Sequence, residues 1–224
     1  MSFIGGPDGR TRIKFCGMTR EQDIDAAVAL NVDAIGLIFY GPSPRCVSIE
    51  QAARLVGRLP SSIDAVGLFV DASREEIDEV LDRVPLTLLQ LHGDETPEQC
   101  AGFRIPFIKV ARVEPGLDLL NFAFAFDEAV ALLLDTHTAA YGGSGKVFDW
   151  SLVPPALIGP DAVRPVVLSG GLNAANVADG IACVRPSAVD TSSGIESAKG
   201  IKDATAMRDF VAAVRAADRP NSQE

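Results

Sequence analysis

Apolar residues along this chain fall mostly in short unbroken runs, separated by longer stretches with helical spacing. The runs are RIKFC (12–16), DAIGLIF (33–39), IDAVGLFV (63–70), TLLQLH (87–92), PFIKVARV (106–113), AVALLLD (129–135), PVVLS (165–169) and SAVD (187–190). Near-continuous apolar runs are what parallel strands covered on both faces require. Between them, EQDIDAAVAL sets Ile24, Ala27 and Val28 at helical spacing behind Thr19 as N-cap. IEQAARLVGRL and SREEIDEVLDRV repeat the period, the second behind Ser73 with Glu76 three residues on, a capping box. AMRDFVAAVRAA closes the series, whereas TPEQCAG and LDLLNFAF, after the fourth and fifth runs, are short. Eight β-then-α units predict an α/β fold: a single-domain (β/α)8 TIM barrel over residues 12–215, with 1–11 and 216–224 as loose termini.

Composition narrows the function classes. A chain of 224 residues, 47% hydrophobic and 22% charged, has the balance of an ordinary globular domain. The net charge of −10 and the lack of any basic run argue against a nucleic-acid partner. No apolar run approaches the roughly 18 residues that span a bilayer, and MSFIGGPDGR lacks the marks of a signal peptide, so the expected location is cytoplasmic, with no membrane partner. Cys16, Cys46, Cys100 and Cys183 contain no C-x-x-C pair, and His92 and His137 are the only histidines, so neither a disulfide framework nor a metal site is expected. Cys46, Cys100 and Cys183 read as structural thiols.

The expected strand ends are where polar residues gather. Cys16 ends the first run and Arg45 lies in GPSPRCVS after the second; Gln90 and His92 close the fourth, Asp135 the sixth and Asp190 the eighth. Barrel enzymes place their chemistry at this end. SGGLN (169–173) follows the seventh run and DTSSGIE (190–196) overlaps the end of the eighth. Barrels commonly hold a phosphate in these two loops, on backbone N–H groups that glycine lets approach closely. Gly170, Gly171, Ser192, Ser193 and Gly194 are therefore the candidate phosphate cradle. Asn173 reads as a helix N-cap beside it. The glycine-rich YGGSGK, with Gly142, Gly143 and Gly145, reads as a lid, with Lys146 either capping it or helping to hold the phosphate. Lys14 is placed to pair with Asp190 on the neighbouring strand.

Taken together, KFCGMTR, GLIFYGPSPRCVS, VGLFVD, LQLHGDE, LLLDTHTAAYGGSGKVFDW, LSGGLNAANV and VDTSSGIES resemble the phosphoribosylanthranilate isomerase family, in order, over about residues 12 to 215. The resemblance implies a cofactor-free enzyme of tryptophan biosynthesis, a monomer or weak homo-oligomer. It would convert N-(5′-phosphoribosyl)anthranilate into 1-(2-carboxyphenylamino)-1-deoxyribulose 5-phosphate by an Amadori rearrangement. It implies Cys16 as general base, Asp135 as general acid and Arg45 facing the anthranilate carboxylate. Cys46 stands where that family usually has an aromatic residue.

The chemistry sets demands on these residues. Ring opening needs a carboxylic acid that keeps its proton, which the apolar run before Asp135 would favour. Removal of the C2′ proton needs a thiolate, which a helix N-terminus just after Cys16 would favour. Gln90 and His92 would line the wall, and Asp190 would either accept a hydrogen bond from the substrate or pair with Lys14.

Overall fold

The structure, a computed structural model, describes residues 3–4, 9–136 and 147–218. Each apolar run forms one strand: β1 (Arg12–Cys16), β2 (Ala34–Ile38), β3 (Asp64–Phe69), β4 (Leu88–Leu91), β5 (Phe107–Val113), β6 (Ala131–Thr136), β7 (Val166–Leu168) and β8 (Ala188–Thr191). All pair in parallel in chain order, and β8 returns to β1 to close the barrel. That closure sets Lys14 opposite Asp190.

Among the described residues, seven helices surround it: α1 (Glu21–Ala29), α2 (Ile49–Val56), α3 (Arg74–Arg83), α4 (Pro97–Cys100), α5 (Leu119–Ala125), α6 (Val177–Val184) and α7 (Ala204–Ala217). The expected eighth is missing from the described residues after β6. Two single-turn 3₁₀ segments, Trp150–Leu152 and Pro155–Leu157, stand there instead. Pro154 and Pro155 remove consecutive N–H donors and end the first segment, while Gly159 (φ +80°) and Pro160 stop the second. The capping box of α3 forms as the spacing requires, Ser73 accepting from Glu76 N–H and Glu76 from Ser73 N–H. A short hairpin, β9 (Glu196–Ala198) with β10 (Ile201–Lys202), extends the loop after β8.

Side chains alternate along the strands. Ile13 and Phe15 point outward into the layer shared with Ile24, Met207 and Phe210. Ala34, Val66, Leu88, Ile108, Ala131, Leu133, Val167 and Ala188 fill the barrel, joined by Phe3. Cys16, Ile38, Leu68 and Val70 form a separate cluster at the opposite end. The described terminal residues are not loose. Phe3 is 1% exposed, and its N–H donates to Asp64 at the start of β3. Thr11 N–H donates to Asp218 (3.0 Å), Arg215 donates to Thr11 C=O (2.7 Å), and α7 runs to Ala217. An apolar plug and mutual hydrogen bonds tie the described residues near both termini to the bottom of the barrel.

Candidate active site

One cavity opens at the C-terminal ends of the strands, about 670 Å³ with its mouth included. Cys16, Arg45, Gln90, His92, Asp135, Asp190, Gly170, Gly171, Ser192 and Ser193 all line it, with Ile38, Tyr40, Ser43, Leu68, Val70, Ser169, Leu172 and Thr191. The strand-tip residues thus converge as expected. Gly194 does not line the cavity. A Cβ there would sit 1.9 Å from Leu172 C=O, so its role is to let the loops after β7 and β8 pack together. Gly142, Gly143, Gly145, Lys146 and His137 lie outside the described residues.

Cys16 ends β1 and is 4% exposed. The turn after it is pinned by the N–H groups of Gly17 (2.9 Å) and Met18 (3.0 Å), both donating to Gly36 C=O. Gly36 also makes room: a methyl there would lie 2.8 Å from Cys16 Sγ and 3.0 Å from Lys14 Nζ. Burial pushes the Cys16 thiol up from its ordinary value; the Lys14 ammonium and, further off, Lys202 pull it down without cancelling that, and Asp190 adds to the rise. The expectation of a helix N-terminus lowering it is therefore corrected. Helix α1 begins only at Glu21 with Arg20 as N-cap, and Thr19 donates its hydroxyl to Gly200 C=O instead of capping.

Lys14 is fully buried, with Nζ 2.8 Å from Asp190 Oδ1. Burial would lower its pKa, but Asp190 and Cys16 outweigh that and raise it. Asp190 Oδ2 accepts from Ser169 Oγ (3.1 Å), so Asp190 is first a partner of Lys14. Asp135 Oδ1 accepts from Thr136 N–H (2.8 Å), and Oδ2 lies 3.2 Å from His92 Nε2. That approach is off the hydrogen-bonding direction, because His92 Nε2 has no hydrogen-bond partner among the described residues, nor has Gln90 Oε1. Gln90 Nε2 is 3.1 Å from His92 Nδ1. Two buried polar atoms beside the candidate acid thus remain open to a ligand.

Arg45 is brought over the cavity by a bridge between Ile38 and Cys46. Its Nε and Nη2 donate to Glu196 Oε1 and Oε2, both at 2.7 Å. Lys202 Nζ donates to Glu196 Oε1 (2.8 Å), Ser192 C=O (3.0 Å) and Ser192 Oγ (3.3 Å). Sequence reasoning missed both partners. Glu196 closes the DTSSGIE motif, but its two cationic partners come from elsewhere in the chain and meet it only in the fold. Gly170 (φ +81°) and Gly171 (φ +67°) take backbone that favours glycine, and a methyl on Gly170 would strike Thr136 and approach Asp135. Asn173 does not cap a helix. It accepts from Ala175 N–H, and Asn176 precedes α6, its amide donating to Gly171 C=O (3.1 Å). Cys46 and Cys183 are exposed, while Cys100 is buried, its thiol pushed up to about 11 by that burial.

Acid, thiol and anion loops sharing one cavity at the strand ends define a TIM-barrel enzyme. Residues 13–213 match the family described as N-(5'phosphoribosyl)anthranilate (PRA) isomerase. An N-(5'-phosphoribosyl)anthranilate isomerase of Leptothrix cholodnii is 58% identical over 93% of both chains. The crystal structure of phosphoribosyl anthranilate isomerase from Thermotoga maritima superposes with a TM-score of 0.84 at 42% identity, covering 92% of this chain and 99% of that one. A second crystal structure, of the isomerase in complex with reduced 1-(o-carboxyphenylamino)-1-deoxyribulose 5-phosphate, gives 0.81 at 38% identity, with the same coverage. The chain belongs to the phosphoribosylanthranilate isomerase family.

Proposed function

We propose that this protein converts N-(5′-phosphoribosyl)anthranilate into 1-(2-carboxyphenylamino)-1-deoxyribulose 5-phosphate, with Asp135 as general acid and Cys16 as general base. Asp135 gives a proton to the furanose ring oxygen as the C1′–O bond breaks, leaving an iminium at C1′. Cys16 removes the C2′ proton, whose electron pair forms the C1′=C2′ bond of an enolamine. Return of a proton to C1′ and loss of one from the C2′ hydroxyl gives the ketone, so atoms and electrons balance without an external oxidant. The substrate carboxylate faces Arg45, whose planar guanidinium suits a planar anion. The phosphate sits on the N–H groups of Gly170, Gly171, Ser192 and Ser193.

The observation that carries this reading is that Cys16, Asp135, Arg45 and both anion loops share one cavity in a member of this family. The test is an assay on freshly made phosphoribosylanthranilate that follows loss of its anthranilate-type fluorescence. Cys16→Ser and Asp135→Asn should each lower kcat by about a hundredfold or more, the scale of general acid–base catalysis, with the fold intact. Turnover near that of the parent protein removes the substituted residue from its role.

A further inference from the structure

Arg45, which lines the cavity, belongs to a charge arrangement to which the proposed acid–base steps assign no binding role. Glu196, at the start of β9, receives Arg45 on both carboxylate oxygens and Lys202 on one of them. Arg45 is thereby gripped by its Nε–Nη2 edge, the edge a guanidinium would otherwise offer side-on to a ligand carboxylate. Lys202, its side chain wholly buried, reaches past Glu196 to the carbonyl and hydroxyl of Ser192 in the anion loop. Gly17 brings the two legs close: a methyl there would lie 2.5 Å from Arg45 Cδ and 3.1 Å from Ser192 Oγ.

We propose that Glu196 is a positioning residue that fixes the edge Arg45 presents to the substrate and, through Lys202, ties that arginine to the phosphate loop. The inference rests on the reading of Arg45 and Ser192 given above. With Nε and one Nη2 hydrogen committed, the incoming carboxylate meets Nη1 and the outer side of Nη2, end-on. Filling the phosphate loop fixes Ser192, hence Lys202, hence Glu196 and the plane of Arg45. Each end of the substrate then binds more tightly once the other is in place. Bound anions also offset the two cations that share one carboxylate.

Calorimetric titration of the intact protein with 2-aminobenzoate, alone and in saturating inorganic phosphate, reads this coupling. Phosphate should tighten 2-aminobenzoate binding by about fivefold or more. Glu196→Gln should bring that ratio to within about twofold and raise KM about tenfold, the scale of lost charge-assisted hydrogen bonds, while kcat stays within about threefold. Lys202→Met removes only the phosphate leg. It should abolish the coupling while leaving 2-aminobenzoate affinity without phosphate within about twofold, and it serves if Glu196→Gln does not fold. Independent binding in the parent protein overturns the proposal, as does coupling that survives either substitution or a Glu196→Gln loss confined to kcat. A parent protein that couples the two ligands but leaves phosphoribosylanthranilate unchanged would instead overturn the reaction assigned above.

Discussion

Cys16 is the base of the proposed reaction, and its surroundings set how much of it is thiolate. Its thiol is buried and pushed up from its ordinary value, the first cause being desolvation. In the proposed reaction only the thiolate takes the C2′ proton, so at neutral pH a minor form of the free enzyme does the work. The sign follows directly: a raised acid pKa means the active form grows as pH rises. In Asp135→Asn, which removes the acid whose protonated form the reaction also needs, the remaining kcat/KM for phosphoribosylanthranilate should climb about tenfold per pH unit through neutrality, and a profile flat from pH 6 to 8 in that variant would contradict it. Lys14 works the other way, since its ammonium favours the thiolate. Lys14→Met paired with Asp190→Asn, which avoids leaving a buried carboxylate unpaired, should move the rising limb to higher pH. The polar residues at the strand ends were legible in the sequence because each interrupts an apolar run. The state of Cys16 was not. It depends on how deeply β1 is covered and on Lys14 two residues earlier on the same face, and neither can be weighed without coordinates.

Elements decide how the proposed phosphate site is built. The loops after β7 and β8 were readable from SGG and SSG at their places in the strand order, but their division of labour was not. Gly170 and Gly171 supply the left-handed backbone, whereas Gly194 supplies clearance for Leu172 C=O. Gly194→Ala cannot keep both loops where they are, because its Cβ would sit 1.9 Å from that oxygen. We expect a loss of about 1–3 kcal/mol in chemical unfolding, the usual cost of overpacking, together with a raised KM. An unchanged KM would mean the loops move apart without disturbing the phosphate. Among the described residues, no α-helix stands between β6 and β7. Pro154 and Pro155 end the first 3₁₀ turn there and Gly159 with Pro160 ends the second, and only three-dimensional packing shows that these short turns suffice. Asn173 was misread in the same way, since an Asn before a helix caps either the helix or the turn leading into it. Here Asn176 stands directly before α6, and both amides turn back to Gly171.

At the scale of the whole molecule, the two ends of the barrel carry different burdens. The upper end spends its polar residues on the cavity, with charges such as Lys14 and Asp190 held in a buried pair. The lower end is closed by apolar packing and by Asp33, which takes Arg10 and Arg12. Phe3 belongs to that end. Its ring is covered by the inward-facing residues of the strands, and its N–H holds β3. A lone aromatic in a glycine-rich stretch gives no periodicity to read, which is why residues 1–11 read as a loose terminus. Phe3→Ala empties a position among well-packed side chains and should cost about 3–5 kcal/mol in denaturant unfolding. Because the plug touches none of the cavity residues, kcat and KM at moderate temperature should stay within about twofold of the parent values. Stability lost together with activity would show that the barrel's two ends are coupled. A loss below about 1 kcal/mol would show instead that the barrel closes without its leader.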